Sequence, residues 1–323
     1  MAKATRLEDA LAGLNALKAQ GPTAAAAAAL KAALGQRSSL IVAKAAQLAG
    51  AMELAALAPD LTVAFARFRG QPAKLDKLCQ AKTALVQALV VLGGPAEQVY
   101  LPAIALVQME PVYGGQVDTA AEMRGLAAAG LLRMGHPQGL NLVAELLADP
   151  HPPARAGAIR ALAESGRPEA GPLLRFKARL GDPDATVSAE CLGGLLKVDG
   201  PAGLEHARQA LAGENEALFE AAALALGSSR LAPAVQVLQE ACEVTVEGPR
   251  RHTLALALAM LRQPAANDFL LAQVREGSRA SALAALAALA MHRYDAALME
   301  RLKQAAQDRG EAEVCDAIRA ALG

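Results

Sequence analysis

The chain has 323 residues, 54% of them hydrophobic and only 2% aromatic, and its 32 basic and 32 acidic residues cancel. A neutral balance lacks the basic excess by which duplex nucleic acid is held through phosphate contacts, so no nucleic-acid partner is expected. The apolar excess is Ala and Leu, both strong helix formers. It points away from sandwiches and barrels, whose strands want Val, Ile, Thr and aromatics.

In chain order, the charged segment Met1 to Asp9 lacks the continuous apolar core of a signal peptide. The longest apolar stretch, Thr23 to Leu30, is mostly Ala and too short to span a bilayer, so no membrane association is expected. Helices are expected over Arg6–Gln20, over the Ala run and over Ser38–Met52. They are irregularly spaced, and residues 1–74 read as an N-terminal cap region. Cys79, Cys191, Cys242 and Cys315 form no CxxC pair and are expected to be reduced, buried side chains of a cytoplasmic protein.

From about residue 117 to 323 a period of 31–33 residues is clear. Polar turn residues that open the second helix of each pair fall at Asp149, Asp182, Glu214, Glu247, Ser278 and Glu311. Two helices and two short turns fill that span. Each second helix carries apolar residues four apart, as in Met123/Ala127/Leu131, Ala154/Ala158/Leu162, Val187/Cys191/Leu195 and Val314/Ile318/Leu322. That spacing keeps them on one face. Gly135, Gly166, Gly200 and Gly227 are expected to close helices, with Pro137, Pro168 and Pro201 just beyond.

The segment Asp149-Pro-His-Pro-Pro-Ala-Arg155 through Leu162 to Gly166 resembles the HEAT-repeat signature, including its lyase-like bacterial branch. Gly181-Asp182-Pro183 through Val187, and Ala221 to Gly227, are similar. The resemblance covers about residues 75 to 323. It implies an all-α fold, an α-solenoid superhelix of about nine helical hairpins in one domain, and says little about activity.

One unit, Leu75 to Gln116, exceeds the period by around ten residues. The excess falls at Met109–Val117, where an inserted loop is expected, and insertions in repeat proteins often mark the binding face. Tyr100, Glu110, Tyr113 and Gln116 in and beside it are candidate partner-binding residues, because Tyr offers apolar area with a polar end. A second candidate is the position after the first stripe residue of each second helix: Lys82, Arg124, Arg155, Ser188 and Phe219. Its three cations form either a basic binding strip or a structural ladder with the turn residues Asp118, Asp149 and Asp182.

Metal ligation is not expected, since His136, His151, His206, His252 and His292 show no ligand spacing, and His136 and His151 read as solvated turn residues. No nucleophile elbow or phosphate loop is present, so neither catalytic residues nor a cofactor are expected. The resulting expectation is a non-catalytic scaffold binding another protein through a concave face and the 109–117 loop, its oligomeric state left open. The resemblance also leaves room for an accessory subunit of a chromophore lyase, a chaperone-like factor or, less favoured, a DNA-binding relative of alkylated-base glycosylases.

Overall fold

The computed structural model describes residues 2–245 and 248–322; the turn residue Glu247 and the side chain of Leu322 lie outside the described residues. The chain divides into two compact units, residues 1–170 and 171–323.

The first unit contains α1 (Ala2–Gln20), α2 (Ala24–Leu34), α3 (Ser39–Ala51), α4 (Ala58–Arg69), α5 (Gln80–Leu92) and α6 (Glu97–Ile104). Strands β1 (Met109–Val112) and β2 (Gly115–Asp118) follow, then α7 (Ala121–Arg133), α8 (Gly139–Leu146) and α9 (Pro152–Glu164). Helices α3, α5, α7 and α9 stack one on the next as a layer, and α2, α4 and α6 form a second layer behind them. The apolar stripes are buried as expected: Met123, Ala127 and Leu131 on α7, and Ala154, Ala158 and Leu162 on α9.

The second unit contains α10 (Ala170–Leu180), α11 (Ala185–Val198), α12 (Gly200–Ala212), α13 (Glu216–Ser229) and α14 (Ala234–Val244). It continues with α15 (Pro249–Leu261), α16 (Pro264–Glu276), α17 (Arg279–Leu289), α18 (Ala296–Arg309) and α19 (Ala312–Leu322). The same two-layer order holds, with α11, α13, α15, α17 and α19 in one layer and α12, α14, α16 and α18 in the other. Each unit is thus an α-solenoid of stacked helical hairpins.

Local chemistry sets the helix ends. Ser278 caps α17 by accepting from Ser281 N, while α11 is capped by Asp184, which accepts from Thr186 N and Val187 N. Asp182, expected to open that helix, does not cap it. Gly135 and Gly166 end their helices with positive φ, but Gly200 starts α12 and Gly227 lies inside α13. A Cβ on Gly227 would meet the Ala257 carbonyl oxygen at 2.7 Å, so this glycine serves packing rather than termination.

Helices α7 and α9 approach each other closely. A Cβ on Gly125 would stand 2.6 Å from the Gly157 Cα, so the two backbones touch with no side chain between them. Small residues at these crossings explain how so Ala-rich a chain fills its interior.

The expected 109–117 loop is instead an ordered antiparallel hairpin, the one departure from all-helical structure among the described residues. Met109 pairs with Asp118, Glu110 with Val117, Pro111 with Gln116 and Val112 with Gly115. Tyr113 and Gly114 form the turn, with Gly114 at φ +84° where a side chain would be strained.

Candidate functional site

The cation column is a buried ladder. Lys82, 2% exposed, places Nζ 2.7 Å from Asp76 Oδ2, and Asp76 also accepts from Ala81 N at 2.8 Å. Arg124, 3% exposed, donates from Nε and Nη2 to the two Asp149 carboxylate oxygens, both at 2.9 Å, and from Nη1 to Asp118 and to Leu106 O. Arg155 donates from Nη1 to Asp149 O at 2.8 Å and Pro150 O at 3.2 Å. These three residues therefore do not form an exposed basic strip. A desolvated cation needs an acid or carbonyls beside it, and the turn aspartates and the turn backbone supply both.

Asp118 shows how the ladder holds its acids. Burial alone would raise its carboxyl. The Gln108 N–H, the Arg124 guanidinium and the Ala120 N–H outweigh that and hold it below the usual aspartate range. His151, read as a solvated turn residue, instead sits 3.3 Å from both Arg124 Nη2 and Asp149 Oδ1.

In the second unit the column changes character. Ser188 donates to Asp182 O at 3.3 Å, and Lys177 from α10 approaches Asp182 Oδ2 to 2.7 Å. Phe219 is buried under the Arg250 guanidinium, 4.5 Å from its ring centroid. One repeat further, Arg251 donates to Ser281 Oγ and to the carbonyls of Thr245 and Cys242.

The hairpin is the exposed counterpart of this buried ladder. Its stem is pinned: Glu110 Oε1 accepts from Leu78 N, Gln108 Nε2 and Thr119 Oγ1, each at 2.7 Å. Burial pushes the Glu110 carboxyl up, but these hydrogen bonds prevail and hold it below the usual glutamate value. Gln108 Nε2 also reaches Asp76 O at 2.8 Å, tying the hairpin base to the first rung of the ladder. Beyond the stem, Tyr113 is fully exposed at the turn and Gln116 is exposed on β2. Met109, Val112 and Val117 are exposed as well.

Tyr100 is not part of this surface. It is 1% exposed on α6, its ring lies where a Cβ on Gly130 would stand 2.6 Å from Cε1, and burial pushes its hydroxyl up to about 12. A groove of about 390 Å³ runs beside the hairpin stem. Gln80, Thr83 and Gln87 of α5 line it, with Gln47 of α3 and Glu122 of α7, while Leu78 and Thr119 join it to the hairpin.

Sequence reasoning missed the pinning residues Asp76, Gln108 and Thr119, and Arg251 as a later member of the column. Arg251 follows Phe219 by one repeat length, a signal obscured because the turn before α15 lacks an Asp-Pro. A second set was also missed, in which cations clamp the carbonyls at a helix end in the neighbouring repeat. Arg67 holds Leu34 O at 2.7 Å and Gln36 O at 2.9 Å, Arg133 holds Val90 O at 2.6 Å, and Arg309 holds Gly277 O at 2.8 Å. Their signal is a cation in a last helical turn, roughly one period after the preceding helix end.

Fold and site together define a helical-repeat protein with a buried ion-pair ladder and one projecting hairpin. A sequence model of HEAT repeats matches residues 116–176, the span holding Asp118, Arg124, Asp149 and Arg155. No curated protein matches it. Among solved structures, human deoxyhypusine hydroxylase in complex with glycerol is similar at 19% identity and a TM-score of 0.32, over 85% of this chain and 97% of that one. An engineered protein is similar at 16% identity and a TM-score of 0.37, over 91% and 87%.

Proposed function

We propose that this protein is a non-catalytic scaffold whose protein partner docks on the 109–118 hairpin and the groove beside it. The observation that carries this is the contrast within the hairpin. Its stem is fixed by three hydrogen bonds to one carboxylate, while its turn holds the fully exposed Tyr113 among exposed Met109, Val112 and Val117. Apolar side chains on a pre-ordered support cost little further ordering when a partner covers them. The adjoining glutamines Gln47, Gln80 and Gln87 each offer a donor and an acceptor, which suits the backbone of an extended partner segment. The thiols favour the non-catalytic reading: burial pushes Cys79, Cys191 and Cys242 up to about 11, leaving little thiolate at neutral pH.

The test places a photo-crosslinking residue at position 113, or at the exposed Tyr294 of the second unit as a control, in the cells that make the protein. A discrete crosslinked product is expected from position 113 alone, weakened when Gln80→Ala and Gln87→Ala are added. No product from 113, or an equal product from 294, would overturn the reading.

A further inference from the structure

In the first unit the ladder position holds long cations. At Ser188 it holds a short hydroxyl, and this residue lines a cavity of about 220 Å³. Its lining comes from α10, α11, α12, α13 and the turn residues Gly181 and Asp182, all in the second unit. Its apolar lining includes Leu192, Ala210 and Leu218. Its polar lining is Lys177, Asp182, Ser188, His206 and Gln209.

Lys177 sets the chemistry. Its side chain is only 11% exposed, yet its ammonium has three N–H donors and one carboxylate neighbour, Asp182 at 2.7 Å. Asp182 is itself 2% exposed and accepts from Asp184 N at 2.9 Å, so it is held in the turn. Lys177 lines the cavity, where Asp182 can take only one of its three N–H donors at this distance. A nearly buried ammonium is costly without further acceptors. His206 Nδ1 lies 3.1 Å from Ala202 O, which leaves Nε2 as its other polar atom.

We infer that this cavity is a binding site for a small carboxylate with a compact, branched apolar body. The carboxylate takes the spare Lys177 donors and the Ser188 side of the lining. The apolar body packs on Leu192, Ala210 and Leu218, where burial of its methyl groups supplies the remaining affinity. The volume limits the ligand to a few carbons beyond the carboxylate and excludes nucleotides and other large cofactors. This site is independent of the hairpin surface and stands or falls separately from it.

The experiment is a titration of the full chain with isovalerate, isovaleramide and isoamylamine, followed by calorimetry and by ligand-observed NMR. Isovalerate is expected to bind, with the amide at least about tenfold weaker, the equivalent of about 1.4 kcal/mol for the charged hydrogen bonds. Ser188→Arg places the long cation seen in the first unit in this lining, so it is expected to abolish isovalerate binding in a chain that circular dichroism shows to be folded. Lys177→Met is expected to bring isovalerate down to the level of the amide. If Ser188→Arg fails to fold, Leu192→Phe fills the same cavity from its apolar side and serves in its place. Equal binding of acid and amide, preference for the amine, unchanged binding in the filled variant, or no binding to the wild-type chain would each overturn the assignment.

Discussion

The two units use one architecture and hold the same position in it by different means. In the first, Lys82, Arg124 and Arg155 meet Asp76, Asp118, Asp149 and the carbonyls of the Asp149–Pro150 turn, so acids and backbone are neutralised together. In the second, the column runs Ser188, Phe219, Arg251 and Ser281. Its members meet carbonyls, a hydroxyl and, at Phe219, the Arg250 guanidinium. Stacking therefore does not require the ion pairs. Apolar stripes are buried in both units and drive it.

The largest effect that would break this contrast is expected from Arg124→Ala. It strands Asp118 and Asp149, and breaking a buried pair in this way costs about 3–5 kcal/mol. Arg251→Ala strands only neutral groups and is expected to cost about 1–3 kcal/mol. Urea unfolding of both variants decides it: equal losses would mean the two columns are equivalent.

Next is Gly157→Ala, expected to destabilise by about 1–3 kcal/mol because the added methyl meets the Gly125 backbone rather than a side chain that can turn away. A control substitution at Gly193, which faces open space, is expected to cost less than half as much in the same denaturation series.

A smaller effect separates the units by pH. The Asp118 carboxyl is held below its unfolded value, so its contribution is complete above about 3.9 and is lost as the pH falls through the lower folded value. Melting temperature against pH is expected to drop on this acid side, and Asp118→Asn is expected to flatten that drop. An unchanged slope in the variant would remove Asp118 from the account. The smallest effect is that of Tyr113→Ala, expected to leave stability within about 0.5 kcal/mol because the side chain touches only solvent.

Much of the architecture was legible because helical spacing and turn punctuation are local. The stripes Met123/Ala127/Leu131 and Ala154/Ala158/Leu162 could be read from spacing alone. The first 74 residues hid their regularity because Ala-rich helices carry little punctuation and short 3-10 turns at Ala55–Leu57 and Ala73–Leu75 disturb the count. The 109–117 excess was visible as extra length. Its strands were not, since Met-Glu-Pro-Val and Gly-Gln-Val-Asp have no alternating apolar pattern to signal pairing. Burial of the cations was one of two readings left open, because the distance between Arg124 and Asp149 is a property of stacked turns and not of sequence neighbours. Tyr100 was misplaced for a similar reason: a lone tyrosine beside an insertion looks the same in sequence whether it faces solvent or, as here, Gly130.

The Gly125–Gly157 contact has a mechanical meaning. Between most neighbouring helices a layer of side chains can shift rotamer and act as a soft spring when the stack is bent or pulled. Where two backbones lie directly against each other there is no such layer, and α7 and α9 deform as one stiff plate. Under tension the first unit should yield at a side-chain-cushioned joint such as α5 to α7 before this one. The α7–α9 plate also carries Arg124 and Arg155, so the joint that resists bending most is the one in which a small change of spacing would disturb the most charge.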